Sequence, residues 1–301
     1  MPPETTARPP RIRWCPACHT RAERFGPGPN GRPDATCRSC RALERHRFLA
    51  LLLEGLAPVV ATARLVVDIA PSPQITRILQ RMAPAQYVRV DFDPAADARA
   101  VDVQASLTAL PFPDGSIDLL VCYHVLEHVP DDAKAMAEIG RALHDGGLAI
   151  VQVPWRPDRL TDEDASAPAE ERIRRFGQAD HVRMYGKDFD DRLYKVGLTS
   201  YRLTPADVVG DHLVQVFRLE PHETVWLVRR DGGRTAALDA DTVRLRTLQL
   251  IAESHTATDR SVAVADARAA SWERAYRRLR SQPVVRIAAA VAAPVRRIRR
   301  R

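Results

Sequence analysis

No stretch of this 301-residue chain reaches the roughly 18 consecutive apolar residues that a membrane-spanning helix needs. The first thirteen residues, MPPETTARPPRIR, have no apolar centre and so do not read as a secretory signal. A cytoplasmic location is the expectation that follows. Aromatic residues are few, 6% of the chain. Acidic residues are missing from Arg274 to the end, a stretch holding ten arginines; the overall charge of +7 therefore leaves −3 on the first 273 residues. The positive field sits in the tail, and the body carries none of the excess expected of a polyanion-binding domain.

Cysteine is scarce but ordered. Four of the five fall as Cys15-x2-Cys18 and Cys37-x2-Cys40, with 18 residues between the pairs. Each knuckle offers two thiolates about one turn apart, the spacing of a four-cysteine structural zinc site. A segment this short lacks a core of its own, and a metal would tie it together. Such a ribbon either binds nucleic acid or braces the helix that follows; structure and substrate shaping are the favoured reading. ERHR, Glu44 to Arg47, follows directly and could reach a phosphate, the zinc segment or the body. The fifth cysteine, Cys122, lies in a buried apolar run and reads as a small core side chain.

Periodicity divides the chain into a disordered 1–13, a zinc-ribbon-like segment with its linking helix over 14–57, a body over 58–232 and a helical, basic extension over 233–301. The linking helix is expected over 42–57, with Pro58 ending it. In the body, 64–70 is a buried strand, 74–82 a helix, 87–92 a second strand and 100–103 a short third one. Ile117 to Cys122 is an apolar run buried on both faces. Asp131 and Asp132 open a helix, Asp145, Gly146 and Gly147 stop it, and 148–153 is the next strand. An acidic, strand-free insertion over 155–171 follows, then GQADHVRMYG, a helix over 187–196 and strands at 198–203 and 223–229. Strands alternating with helices predict an α/β fold with a mainly parallel sheet, and a ligand at the carboxyl ends of its strands. In the tail, the apolar segment 284–295 is too short to span a bilayer. Its flanking arginines suit an interfacial helix on anionic lipid.

The string LPFPDGSIDLL, the segment VLEHVPDD and the DGG turn, at their spacing over 110–147, resemble the class I S-adenosylmethionine-dependent methyltransferases of the type 11 group. The resemblance spans roughly residues 60 to 230. It implies a Rossmann-like sheet of seven strands, the last antiparallel, with S-adenosylmethionine as cofactor. Asp91, ending YVRVDF, would take the ribose hydroxyls. Asp102 and Val103 would lie beside the adenine. Tyr123 and His124 would stand at the methionine end. The first loop, VVDIAPSPQI, lacks the glycines usual to the family and sets Asp68, Ala70 and Ser72 in their place. A bacterial subgroup with an N-terminal cysteine-rich segment is similar there and in its GQ-DHVR-YG string.

Two histidines are candidate bases. His124 is closest to a strand end. His128, four residues on, would share a helical face with it. His181 lies in the segment after the insertion, where His181, Arg183 and Tyr185 alternate; the competing reading is a cluster that anchors a loop. No catalytic metal is expected from these histidines and their neighbouring acids. The expected reaction is methyl transfer to an oxygen or nitrogen of a small molecule or glycan. The alternatives are a ribosomal-RNA methyltransferase and a non-catalytic scaffold of the same fold. Peripheral membrane contact through the tail is a further expectation.

Overall fold

The computed structural model describes residues 13–95 and 100–230, all within one compact unit. The expected disorder over 1–12, the helical extension over 233–301 and its interfacial segment lie outside the described residues. Arg13 itself opens a strand.

The described residues begin with a hairpin, β1 (Arg13–Cys15) and β2 (Thr20–Ala22), followed by α1 (Glu44–Gly55) and α2 (Ala57–Thr62). The linking helix stops at Gly55, three residues before Pro58. Pro58 instead sits in the first turn of α2, where a missing N–H leaves no bond unmade. Then come β3 (Leu65–Ile69), α3 (Pro73–Met82), β4 (Gln86–Asp91), β5 (Val103–Gln104), β6 (Ile117–Tyr123), α4 (Asp132–Ala142) and β7 (Leu143–Gln152). Ser72 caps α3 by accepting from Ile75 N, and Asp131 caps α4 by accepting from Lys134 N.

β7 starts earlier than the sequence predicts. Asp145-Gly146-Gly147 is no turn between helix and strand but a bulge within β7, where the register with β6 shifts from Ile117↔Leu143 to Leu119↔Leu148. Glycine is required there: a Cβ on Gly147 would stand 2.7 Å from the Ile117 carbonyl oxygen.

The segment expected to be strand-free contains β8 (Trp155–Arg156) and β9 (Asp162–Glu163), which flank β10 (Arg183–Gly186) in a small three-stranded sheet. Two-residue strands fall below what periodicity registers. They are held by pairing with a distant partner, Tyr185↔Trp155 and Arg183↔Glu163, and by Gly186, which packs against the Arg159–Leu160 backbone where any Cβ would clash. α5 (Ala169–Phe176) lies between β9 and β10. The described residues end with α6 (Phe189–Lys195), β11 (Leu198–Leu203), α7 (Pro205–Val209), α8 (Asp211–Phe217) and β12 (Val225–Arg230).

The main sheet has the order β11-β12-β7-β6-β3-β4-β5. β3 runs parallel to β4 and β6, and β12 runs antiparallel to both of its neighbours. This is the seven-stranded, mainly parallel sheet expected. The central strands are buried on both faces, Val66, Val67, Leu119, Leu120 and Val121 being inaccessible, which explains their unbroken apolar runs. From β3 the chain builds outward through β4 and β5, then returns to the other side of β3 with β6. That reversal opens a crevice beyond the carboxyl ends of β3 and β6.

Candidate active site

A cavity of about 610 Å³ occupies this crevice, within the size range of small-molecule sites. Its floor is the loop after β3. Ala70 and Ser72 line it, and Ala70 adopts the left-handed backbone, φ +52°, a conformation that usually selects glycine. The chain thus makes the tight turn without glycine, at the cost of strain at one alanine. Asp68, also on the cavity wall, is buried and accepts from the Tyr87 hydroxyl at 2.8 Å. Burial, then the Asp68 charge, pushes the Tyr87 phenol well up.

Asp91 ends β4 at the cavity. It is 6% exposed, and its Oδ1 accepts from Asp93 N at 3.0 Å. Phe92, beside it on the cavity wall, is 73% exposed, so an apolar ring stands open next to a carboxylate. Asp102 is placed elsewhere. It pairs with Arg89 through both oxygens, at 2.9 and 2.7 Å, and that guanidinium holds its carboxyl below the usual range. β5 begins only at Val103, so the residues that reach the cavity beyond it are Ala105, Ser106 and Leu107.

At the end of β6, Tyr123 and His124 both line the cavity. The Tyr123 hydroxyl donates to the Arg45 carbonyl at 3.3 Å. His124 sits at φ +59°, a strained position of the kind that collects at functional sites. That backbone turns it away from the following 3-10 turn (Leu126–His128), so His124 and His128 do not share a helical face. His124 Nδ1 lies 3.2 Å from Oε1 of Glu127, which is fully buried. On the other side, His124 Nε2 faces Glu223 Oε1 at 4.0 Å. Burial pushes the Glu223 carboxyl up against the opposing pull of His124 and Arg45. An imidazole oriented by a buried carboxylate is the arrangement of a general base. Glu127 and Glu223 were not singled out in the sequence, though Glu127 stands in the quoted LEH segment; Glu223 is 99 residues from His124 and gives no local signal.

His181 is buried behind His128, the two rings meeting edge-on at 4.7 Å. His128, not His181, reaches the cavity wall. Arg183 and Tyr185 do face one way with it, and they hold the loop before α4. Arg183 donates to the carbonyls of Leu126, Val129 and Pro130, and Tyr185 donates to Asp132.

The cysteine segment forms part of the same site. Cys15 and Cys40 sulfurs lie 3.7 Å apart, as do those of Cys18 and Cys37, and all four fall within 4.8 Å of one another. A tetrahedron with Zn–S bonds of about 2.3 Å separates its sulfurs by about 3.8 Å, and a disulfide needs about 2.05 Å; the four thiols therefore fit a metal and are not paired as disulfides. The residue after each knuckle, His19 and Arg41, takes the left-handed backbone, φ +60° and +65°, so the two turns repeat one geometry.

Of ERHR, Arg47 is buried and joins this segment to the body. It donates to the carbonyls of Ala35 and Ala42 on one side and of Phe217 and Arg218 on the other. Arg45 and His46 line the cavity. The helix braced by the knuckles is thus one wall of the crevice.

Residues 68–151 match the family described as a methyltransferase domain. Over 123 residues the chain is 33% identical to an uncharacterized methyltransferase of a Mycobacterium species, covering 35% of this chain and 49% of that protein. Over 78 residues it is 38% identical to a probable S-adenosylmethionine-dependent methyltransferase of Mycobacterium tuberculosis, covering 24% and 28%. An ajmaline N-methyltransferase of Rauvolfia serpentina is 32% identical over 106 residues, 35% of this chain and 33% of that one. The chain spans about half the length, or less, of the curated relatives it matches. A methyltransferase from Archaeoglobus fulgidus is a similar solved structure, with 10% identity, a TM-score of 0.44 and coverage of 62% and 94%. Residues 68–151 thus match a methyltransferase domain, and they lie on a seven-stranded sheet whose crevice opens at the ends of β3 and β6.

Proposed function

We propose that this chain transfers the methyl group of S-adenosylmethionine to an oxygen or nitrogen of a small molecule or glycan, with His124 as base. The pairing of His124 with buried Glu127 on the cavity wall carries this reading. When bound, S-adenosylmethionine supplies an electrophilic methyl. Asp91 would accept from the ribose hydroxyls, Phe92 would cover the adenine, and the Ala70–Ser72 backbone would run beneath the cofactor. His124 would take the proton of the attacking O–H or N–H, while Glu127 holds the ring and stabilises its charged form. His181, behind His128, would position that side of the pocket rather than meet the acceptor. Cys15, Cys18, Cys37 and Cys40 would hold a structural zinc that fixes α1, and with it Arg45, against the cavity.

The charge of the wall favours a small acceptor over RNA. Asp68, Asp91, Asp93 and Asp180 line the cavity against a single arginine, Arg45, a poor balance for a polyanion. Among the described residues no helix is long and apolar enough to cross a membrane. The arginine-rich segment 272–301 would bring the domain to an anionic lipid surface and to acceptors carried there. A labelled-methyl assay against glycan, lipid, small-molecule and RNA fractions tests the acceptor class. Label is expected in a non-RNA fraction, and label in RNA alone would overturn the choice. Sedimentation with anionic vesicles tests the tail: deletion of 284–301 is expected to abolish it.

A further inference from the structure

Glu127, His128 and His181 are 54 residues apart at their extremes, yet each offers a ligand atom within 4.8 Å of the other two. Two of the three are deeply buried, Glu127 fully and His181 to 4% exposure. Glu127 uses Oε1 on His124; its Oε2 is buried and has no hydrogen-bond partner among the described residues. A buried carboxylate oxygen left so is costly, and the two imidazoles are the ligand groups that stand beside this carboxylate.

The imidazoles are prepared for the same task. His181 Nδ1 lies 3.1 Å from the Phe176 carbonyl oxygen. A carbonyl only accepts, so Nδ1 carries the proton and Nε2 the lone pair. His128 Nδ1 lies 3.2 Å from the Asp180 carboxylate, which selects the same tautomer. Metal-binding histidines are oriented in this way, by a carbonyl or carboxylate on the nitrogen away from the ion. The supporting backbone is tied together. Val182 N donates to the Glu127 carbonyl at 2.9 Å, and Arg183 holds the Leu126–Pro130 carbonyls.

We infer that Glu127, His128 and His181 form a binding site for a divalent transition-metal ion at the edge of the cofactor cavity, distinct from the four-cysteine site. Two imidazoles and one carboxylate suit Zn2+, Co2+ or Fe2+, and three protein ligands leave positions open. Those positions face the cavity, because His128 is part of its wall. The sequence conceals the site because 53 residues separate its histidines and a 3-10 turn aims His128 away from His124.

The inference concerns metal binding and does not depend on methyl transfer, so the test contains no cofactor. The full chain is titrated with Co2+. Nitrogen and oxygen donors give cobalt weak visible bands, whereas four thiolates give strong near-ultraviolet charge-transfer bands, so the two sites are read apart. One equivalent of cobalt on nitrogen and oxygen donors is expected per chain. His128→Ala and His181→Gln should each weaken it by at least about tenfold, and Asp180→Asn should weaken it less. His128 is only partly buried, so His128→Ala is expected to keep the wild-type circular dichroism. No such cobalt spectrum at millimolar metal, or an unchanged affinity in folded His128→Ala, would overturn the assignment.

Discussion

His124 presents Nδ1 to Glu127 Oε1 at 3.2 Å from a backbone held at φ +59°. The strained backbone and the buried carboxylate together fix one ring orientation on the cavity wall, with Nε2 on the side of Glu223. If His124 is the base, His124→Asn should lower kcat by about 10²–10⁴-fold while calorimetry finds cofactor affinity essentially unchanged. Glu127→Gln should lower kcat by less, since the ring remains. A His124→Asn enzyme of wild-type rate would remove the residue from the mechanism.

Ala70 offers a test of the glycine-free loop. A left-handed alanine costs roughly 1–2 kcal/mol, partly regained in the unfolded chain by not being glycine. Ala70→Gly should therefore be neutral or stabilising by up to about 1 kcal/mol and should retain cofactor binding. Ala70→Val adds a branched side chain at φ +52° and crowds the cavity floor; it should weaken cofactor binding by at least about tenfold, or 1.4 kcal/mol. Urea unfolding and calorimetry read the two effects. Equal behaviour of the two variants would mean that this loop does not approach the cofactor.

Arg47 binds the cysteine segment to the body through four carbonyls. Arg47→Met keeps an unbranched apolar side chain but removes the guanidinium, which stacks on the Phe25 ring at 4.4 Å and is the donor to those carbonyls. A loss of about 3–5 kcal/mol in urea unfolding is expected. A loss below about 1 kcal/mol, the scale of an exposed ion pair, would show that the segment is held by other means.

His46 makes stability depend on pH. Burial foremost, then the neighbouring Arg45 charge, lowers it to about 3, and its Nδ1 accepts from Leu43 N at 3.2 Å, which only the neutral ring does. The unfolded residue titrates near 6.5. Between those values the unfolded chain takes up a proton that the folded chain refuses. The contribution is thus fully present above about pH 6.5 and falls as pH drops toward 3. Unfolding curves at pH 7.5 and 5 should show wild type losing more stability than His46→Gln. Equal losses would contradict the assignment.

The central sheet was legible because β3, β6 and the later half of β7 are buried on both faces and keep apolar runs that periodicity detects. Val66, Val67, Leu119 and Leu120 say strand without help from anything distant. β8 and β9 were not legible: each is two residues long and exists only through β10. The same holds in the site. Asp91, Tyr123 and His124 follow from their positions at strand ends. Asp102 was displaced because Arg89, across the β4–β5 pair, claims it. Glu223 and the Glu127–His128–His181 group depend on contacts between segments far apart in the chain, which no local pattern encodes. The four cysteines were legible as a set because two short knuckles carry their geometry with them; that their helix would wall the cavity was open until Arg47 and Arg45 were placed.

The most direct test is calorimetric titration of the full chain with S-adenosylmethionine, beside Asp91→Ala. One site per chain, weakened at least about tenfold by Asp91→Ala, is the predicted result. No heat of binding at millimolar ligand would contradict the account and leave the fold as a scaffold without its chemistry.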